Sequence, residues 1–273
     1  MSNPEIAKKI KTGSFNTNYH DIGEGEPIMF IHGSGPGVSA FANWRLCMPS
    51  ISEKFRVIAP DMVGFGYSDR PENMVYSMDI WVQQTIDLMD ALEIERINLV
   101  GNSFGGALAL SLSIKYPERF NKIVLMGAAG VDFDLTYGLD KVWGYTPSIE
   151  NMKELLDIFA YNRELVSDDL AKLRYEASIR PGFQESFSSM FPVPRQNGID
   201  LLSNDENDIK NIKHDTLIVH GREDKVIPLQ NSIKLNQLIK KSQLHIFGEC
   251  GHWTQIEHNS RFNKLLLDFF SEG

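Results

Sequence analysis

Short apolar segments of strand length recur along the chain, and segments with helical spacing lie between them. This alternation is typical of parallel βαβ units, because a strand covered on both faces of a sheet reads as a continuous apolar run. The predicted strands are Pro27–Ile31, Arg56–Pro60, 97–100, 122–126, 216–220 and 243–247. The predicted helices outside the middle of the chain are 76–92, 105–115 and 261–270. The pattern predicts an α/β fold with a mostly parallel sheet flanked by helices.

The alternation of strands and helices is interrupted in the middle of the chain. Between residues 133 and 203 no buried strand is predicted, but helical spacing continues, most clearly in Ile149–Phe159 and 168–179. We therefore expect a core of residues 1–132 and 204–273, with residues 133–203 inserted as a helical cap, or lid.

The composition and the net charge argue against several classes of protein. The 273 residues include 27 lysines and arginines against 36 aspartates and glutamates, which gives a net charge of −9. A protein that binds duplex nucleic acid needs a basic surface, so this charge argues against that partner. The two cysteines are too few for a disulfide framework. We find neither the apolar stretch of a secretory signal nor a segment of membrane-spanning length, and we expect a soluble, cytoplasmic protein without a membrane partner.

The segment Gly-Asn-Ser-Phe-Gly at residues 101–105 follows one predicted strand and precedes a predicted helix. A serine between glycines at such a turn is typical of a catalytic nucleophile, because the strained backbone leaves no room for larger neighbours. The motif alone also occurs in ordinary glycine-rich turns. Its position between strand and helix favours Ser103 as a nucleophile.

A second glycine-rich segment, residues 31–37, also follows a predicted strand. It lacks the spacing of a phosphate-binding loop, because Val38 stands where the last glycine of GxGxxG is needed and no Gly-Lys-Ser/Thr occurs. We interpret it as an oxyanion loop. The backbone N–H groups of Ser34 and Phe104 would then bind the negative charge that develops on an attacked carbonyl oxygen. His32, at the end of the strand, would brace this loop.

A serine nucleophile needs a base, and the base needs an orienting acid. Of the seven histidines, His252 follows the last predicted strand, at the sheet edge where open α/β folds place catalytic groups. His220 and His245 lie within predicted strands, and we interpret them as structural. The base is therefore predicted to be His252.

Two aspartates compete for the role of the acid. Asp224 follows the predicted strand 216–220, and Asp61 follows Arg56–Pro60. The chain order of serine, aspartate and histidine in the α/β-hydrolases favours Asp224. Asp61 stays open as the alternative acid.

A metal site is not predicted. Cys250 and His252 are close in sequence, but no further ligands occur at metal-binding spacing. Hydrolysis by a serine, a histidine and an aspartate needs neither a metal nor an organic cofactor, so we expect none.

Segments throughout the chain resemble the meta-cleavage product hydrolases, a family of carbon–carbon bond hydrolases with the α/β-hydrolase fold. The segments are HGSGPGVSAFANWR (32–45), PDMVGFGYSDRPEN (60–73), GNSFGG (101–106), VWGYTPSIENM (142–152), RYEASIRPGFQESFSSMFP (174–192), HGREDKVIPL (220–229) and FGECGHWTQIEH (247–258). The resemblance covers nearly the whole chain, cap included. It implies hydrolysis of the C5–C6 bond of 2-hydroxy-6-oxo-hexa-2,4-dienoates, which are ring-fission products of aromatic degradation. The products would be 2-hydroxypenta-2,4-dienoate and a carboxylic acid.

The resemblance also implies roles for individual residues. Ser103, Asp224 and His252 would be the catalytic triad, with the oxyanion N–H groups on Ser34 and Phe104. The residues expected around the carboxylate and 2-hydroxy end of the small anionic substrate are Asn43, Asn102, Arg180 and Trp253. The residues expected around the C6 substituent are Leu139, Val142, Trp143, Ile199 and Val226, and their moderate size favours a small alkyl group. A homodimer is implied in the same way.

One departure from the family concerns Asn197 and Gly198, where relatives often carry a basic and an aromatic residue. This difference from the relatives affects the expected shape of the cap and of the distal pocket.

Two other functions fit the same residues. A carboxylesterase would prefer simple esters and lose little activity when Arg180 is replaced, and a ligand-sensing protein would turn over slowly despite an intact triad.

Overall fold

The computed structural model describes residues 3–272 and contains one eight-stranded sheet. The strand order across the sheet is β1-β2-β4-β3-β5-β6-β7-β8. The strands are β1 (Lys8–Thr12), β2 (Phe15–Ile22), β3 (Pro27–Ile31), β4 (Arg56–Pro60), β5 (Ile97–Asn102), β6 (Phe120–Met126), β7 (Thr216–Gly221) and β8 (Ser242–Phe247). From β4 to β8 the neighbouring strands are parallel. The chain therefore has the predicted α/β-hydrolase type of sheet, and its six predicted strands are β3 to β8.

The first two strands were not predicted. They form an antiparallel hairpin, which joins the sheet through antiparallel pairing of β2 with β4. The sequence of β1 is Lys-Lys-Ile-Lys-Thr, and such charged edge strands lack the apolar run by which buried strands are recognised. The signal that could have revealed them is the two-residue turn at Gly13 and Ser14, where Gly13 has a φ of +56°.

Helices cover both faces of the sheet. They are α1 (Ala40–Trp44), α2 (Met48–Ile51), α3 (Met78–Ala91), α4 (Phe104–Lys115), α5 (Tyr137–Trp143), α6 (Ile149–Phe159), α7 (Asp168–Ser178), α8 (Phe183–Met190), α9 (Gln196–Leu202), α10 (Glu206–Lys210), α11 (Leu229–Leu238), α12 (Thr254–Glu257) and α13 (Asn259–Ser271). Strand side chains alternate between the two faces, as β3 shows: Met29 and Ile31 pack in one apolar cluster, and Ile28 and Phe30 pack in the other. The first cluster contains residues of α3, α4 and the cap, and the second contains residues of α1, α2 and α13.

The segment between β6 and β7 contains only helices among its described residues, α5 to α10. Three of them begin at hydroxyl side chains that accept a backbone N–H of the first turn: Thr136, Ser148 and Ser167. Helices α5 to α9 lie within residues 133–203, the stretch in which the cap was expected, and α10 follows that stretch. The division of the chain at residues 133 and 203 remains our proposal for the boundaries of the cap.

Within residues 3–272, no helix combines the length and the apolar character that crossing a bilayer requires.

Candidate active site

The parallel strands bring Ser103, Asp224 and His252 to one edge of the sheet. Ser103 follows the end of β5, Asp224 comes three residues after β7, and His252 comes five residues after β8. The register pairs Asn102 with Met126 of β6, and it pairs Gly221 of β7 with Phe247 of β8. The carboxyl ends of these strands therefore meet, as expected for an open α/β sheet.

Ser103 lies on the strained turn that the sequence predicts. Its φ of 55° and ψ of −111° are unusual for a residue with a side chain, and it is buried. The glycines around it are required sterically. A Cβ on Gly101 would lie 2.2 Å from the carbonyl oxygen of Gly105, and a Cβ on Gly105 would lie 2.4 Å from the carbonyl oxygen of Ile31.

Asp224 and His252 form a buried pair. The distance from His252 Nδ1 to Asp224 Oδ2 is 2.7 Å, and Asp224 Oδ1 accepts the backbone N–H groups of Val226 (2.7 Å) and Ile227 (3.0 Å). Burial alone would raise the pKa of Asp224, but the charge of His252 and its hydrogen bond outweigh burial and lower that pKa. With Nδ1 donating to an ionised carboxylate, the lone pair of the neutral ring lies on Nε2, where a base can use it.

A second buried histidine contacts the same aspartate. His220 Nε2 lies 3.4 Å from Asp224 Oδ2 and 3.0 Å from the carbonyl oxygen of Ile227, and its Nδ1 lies 2.7 Å from Ser232 Oγ. Burial lowers the pKa of His220. From the sequence, His220 is interpreted as structural because it lies within a predicted strand. Its contact with Asp224 becomes visible only in the structure, where the loop between β7 and α11 brings the two side chains together.

Asp61, the alternative acid, has other partners. Its carboxylate accepts the backbone N–H groups of Ala40 (2.6 Å) and Tyr67 (2.7 Å) and the side-chain amide of Asn18 (2.8 Å). These bonds connect β2 to the start of α1 and to the loop that follows β4. The geometry therefore favours Asp224 as the partner of His252.

His32 holds the loop of residues 31–37 in place. Its Nε2 accepts the backbone N–H of Met62 at 3.0 Å, and its Nδ1 therefore donates to the carbonyl oxygen of Gly33 at 2.8 Å. Burial lowers the pKa of His32 to about 4, so the ring is neutral at pH 7. Gly33 N–H donates to Asn43 Oδ1 at 3.0 Å. Phe104 begins α4, where the first amides have no partner within the helix, so the pairing of its N–H with that of Ser34 stays our proposal for the oxyanion hole.

A cavity of about 240 Å³ lies between the sheet edge and the cap. Its lining includes five of the predicted site residues: Ser34, Asn43, Asn102, His252 and Trp253. Asn43 Nδ2 is buried and has no hydrogen-bond partner among the described residues. The cap side of the cavity is largely apolar, with side chains from α6 and α7.

Arg180 is placed differently from the sequence-based prediction. Its guanidinium pairs with Glu5 (3.3 Å), lies near the rings of Tyr67 and Phe183, and does not line this cavity. Arg174, on α7, lines the cavity instead and donates to the carbonyl oxygen of Pro36 at 3.1 Å. This geometry favours Arg174 over Arg180 as the arginine of the cavity, and the role of either arginine towards the substrate remains a proposal. Burial lowers the pKa of Arg174 to about 10, so it is charged at pH 7.

The residues expected around the C6 substituent do not line the cavity. They are all buried in the apolar cluster shared by the cap and the core: Leu139, Val142, Trp143, Ile199 and Val226. Trp143 connects this cluster to the loop of residues 31–37, because its Nε1 donates to Ser34 Oγ at 3.2 Å. The role of the five side chains towards the C6 substituent remains a proposal.

Both cysteines are buried free thiols, and burial raises the pKa of Cys250 to about 12. Residues 3–272 contain no group of three or more histidine, cysteine or acidic side chains arranged to hold a metal ion.

Comparison with known proteins identifies the family. The model of the α/β hydrolase fold matches residues 26–259. The chain is 57% identical over 269 residues to the 2-hydroxy-6-oxo-2,4-heptadienoate hydrolase of Pseudomonas putida, covering 98% of each chain. It is 58% identical over 273 residues to the 2-hydroxymuconate semialdehyde hydrolase of a Pseudomonas species, covering 100% of this chain and 96% of that one. The crystal structure of CumD, a meta-cleavage product hydrolase from Pseudomonas fluorescens, in its S103A variant with acetates, matches with a TM-score of 0.98 and 63% identity over 99% of both chains. The chain therefore belongs to the meta-cleavage product hydrolases of the α/β-hydrolase fold.

Proposed function

We propose that Ser103, His252 and Asp224 carry out the hydrolysis of the C5–C6 bond of 2-hydroxy-6-oxo-hexa-2,4-dienoates with a small alkyl group at C6. As a member of its family, the chain is a serine-dependent carbon–carbon bond hydrolase. The observation that carries the assignment of residues is the buried 2.7 Å pair of His252 with Asp224, beside a cavity that also contains an arginine. The small anionic dienoate is the only ligand this function requires, with no cofactor.

The chemistry explains why the site needs cationic and amide groups as well as a triad. Breaking the C5–C6 bond by hydrolysis leaves the bonding electrons on C5, so the substrate must supply a sink for them. Ketonisation of the dienol gives a conjugated 2-oxo group that accepts these electrons. Arg174 and Asn43 Nδ2 would hold the carboxylate and this oxygen, and they would act on the chemical step as well as on binding.

His252 Nε2 moves the protons of the reaction. Ketonisation moves the proton of the 2-hydroxyl group to C5. His252 Nε2 then accepts a proton as the C6 carbonyl is attacked beside Ser103, and this proton goes to the C2 oxygen of the dienolate that forms as the bond breaks. Water supplies the hydroxyl of the new carboxylic acid and the proton on the C2 oxygen, so the products are 2-hydroxypenta-2,4-dienoate and that acid. The N–H groups of Ser34 and Phe104 would stabilise the charge on the C6 oxygen.

A small C6 substituent is supported by two observations. The two hydrolases above are named for substrates that carry a methyl group or a hydrogen at C6. In this chain the five side chains expected there are buried and packed together, with Trp143 stacked on Phe191 at 4.3 Å between ring centroids. A phenyl ring would need this cluster to open.

The test is the loss of dienolate absorbance with substrates that carry hydrogen, methyl, isopropyl or phenyl at C6. We expect the highest kcat/KM with the small groups and the lowest with phenyl. Ser103→Ala should reduce kcat by at least about 10³-fold while the dienoate still binds, whereas Ser52→Ala, at a partly exposed serine that does not line the cavity, should leave it unchanged. Near-normal turnover by Ser103→Ala would exclude Ser103 as the reacting serine.

We also propose a homodimer located in the cytoplasm. Both proposals rest on the resemblance to the family and on the composition of the chain. Sedimentation at micromolar concentration tests the dimer, and fractionation of the source cells tests the location.

A further inference from the structure

The loop of residues 248–253, which carries His252 and which we call the histidine loop, is held by three consecutive backbone N–H groups. Each of them donates to a different part of the molecule. Cys250 N–H donates to the carboxylate of Glu223, in the loop of the catalytic aspartate, at 2.9 Å. Gly251 N–H donates to Glu257 Oε1 at 2.7 Å. His252 N–H donates to the carbonyl oxygen of Phe159, the last residue of α6 in the cap, at 2.7 Å.

Glu257 extends this contact further into the cap. Its second oxygen, Oε2, accepts the backbone N–H groups of Tyr161 (2.9 Å) and Asn162 (2.8 Å), which follow α6. One carboxylate therefore binds the histidine loop through one oxygen and the cap through the other.

The two segments that Glu257 joins are in direct contact. A Cβ on Gly251 would lie 2.5 Å from the carbonyl oxygen of Phe159 and 2.8 Å from the backbone nitrogen of Tyr161. The Phe159 ring stacks on Trp253, with 4.9 Å between centroids and an angle of 11°. Phe159, His252 and Trp253 all line the cavity. A ligand that packs against Phe159 would therefore contact the residue whose carbonyl oxygen accepts the backbone N–H of His252.

We propose that Glu257 is a positioning residue that couples the position of the cap to the position of His252. The proposal rests on the proposed function, because it takes His252 as the base. Glu257 does not touch the substrate; it acts through the backbone of Gly251 on one side and of Tyr161 and Asn162 on the other. When the cap closes on a dienoate, this link brings His252 Nε2 to its working position.

The role requires a carboxylate. Two oxygens with about four acceptor sites can serve three N–H donors from two directions. Glutamine has the same shape but one acceptor oxygen, so its amide group would face either Gly251 N–H or the N–H groups of the cap. Glu257→Gln therefore breaks the link on one side without changing the size of the side chain.

The experiment compares Glu257→Gln, Glu257→Asp and a control, Glu154→Gln, with the wild type. Glu154 is a partly exposed carboxylate on α6 whose partners, Lys141 and Tyr137, both belong to the cap. A displacement of about 1 Å in a catalytic group costs on the order of 10²-fold in rate. We expect Glu257→Gln to lower kcat by roughly 10- to 100-fold and to change the Kd of the dienoate, measured in the Ser103→Ala background, by less than about threefold. Glu257→Asp should recover part of kcat, because it restores both acceptor oxygens, and Glu154→Gln should keep the wild-type kcat.

Melting temperatures separate this role from a loss of folding. If Glu257→Gln melts at the temperature of the wild type and still has wild-type kcat, the coupling does not exist. Equal losses of kcat and of dienoate affinity would also overturn it, since they would indicate a cavity that is damaged as a whole. Because Ser103→Ala is measured in the same series, an active Ser103→Ala enzyme would refute the proposed function, whereas an active Glu257→Gln enzyme beside an inactive Ser103→Ala enzyme would refute only this inference.

Discussion

Arg174 and Arg180 are six residues apart, yet their side chains lie in different environments. Helix α7 ends at Ser178, so Arg174 projects from a regular helix, while Arg180 lies beyond its end. Arg180 turns towards Glu5, in the segment that precedes β1, and this partner is 175 residues away in the chain. Local sequence pattern carries no information on a contact at that separation, so it could not decide which arginine enters the cavity.

Replacing Arg174 tests which arginine binds the carboxylate. A hydrogen bond to a charged group contributes about 1.5–3 kcal/mol, which corresponds to roughly 10- to 100-fold in affinity. We expect Arg174→Gln to raise KM for the dienoate by that factor. The matched variant Arg180→Gln, which loses its pair with Glu5, should change KM by less than about threefold. Steady-state kinetics decide the question, and the opposite ranking of the two variants would return the role to Arg180.

At the scale of secondary-structure elements, the positions of the triad residues could be predicted while the hairpin of β1 and β2 could not. Parallel strands of a buried sheet are continuous apolar runs, and their carboxyl ends meet at one edge, so Ser103, Asp224 and His252 could be brought together from sequence. β1 lies at the edge of the sheet and exposes its lysines, and β2, between β1 and β4, buries the polar side chains of Thr17 and Asn18, so neither strand has the apolar run of a buried strand.

Helix α9 illustrates how a departure from the family shapes a packed element. A Cβ on Gly198 would lie 2.8 Å from Cζ3 of Trp143 and 3.2 Å from the ring of Phe191. Gly198 thus allows the two stacked rings to lie close against α9. Overpacking of this kind costs about 1–3 kcal/mol.

Gly198→Ala tests this packing. We expect it to lower the free energy of unfolding by roughly 1–3 kcal/mol and to lower kcat/KM for methyl- and isopropyl-substituted dienoates, because Trp143 also contacts Ser34. Urea unfolding and the substrate panel are the measurements. Asn197→Ala, on the neighbouring residue of the same helix, is the control that alters α9 without entering the rings. Equal effects of both variants would show that the helix, and not the Trp143 contact, is responsible.

At the scale of the whole molecule, the core of the fold can be predicted from the local pattern of apolar and polar residues, but the cavity cannot. The cavity forms where α6 and α7 of the cap meet the loops at the sheet edge, and its wall combines residues as distant as Asn43, Arg174 and Gln255. Its shape depends on how the helices of the cap pack on the core. For that reason the meeting of Ser103, Asp224 and His252 at one edge of the sheet could be predicted, while the position of Arg174, the hydrogen bonds of Glu257 and the contact of His220 with Asp224 required the structure.

The response of the whole protein to acid follows from its buried histidines. Burial lowers the pKa values of His20, His32, His220 and His245 below the ordinary 6.5. As the pH falls below 6.5, the unfolded chain binds protons that the folded protein does not, so the folded state loses stability. Asp61 acts in the opposite direction, because burial raises its pKa to about 6 and the folded protein takes up that proton first.

His32 allows one contribution to be isolated. Its folded pKa of about 4 predicts a loss of about 1.4 kcal/mol per pH unit from pH 6.5 down to about 4, on the order of 3 kcal/mol in total. His32→Gln keeps an acceptor for Met62 N–H but cannot titrate. His32→Gln should therefore reduce the slope of the unfolding free energy against pH by the contribution of about one proton, which is about 1.4 kcal/mol per pH unit. The substitution should also lower the stability at pH 7. Phe65→Leu, which alters a ring in contact with His32, should lower stability without changing the slope. Urea unfolding followed by tryptophan fluorescence between pH 7.5 and 5 measures both quantities, and equal slopes in wild type and His32→Gln would show that His32 does not remain neutral in the folded protein.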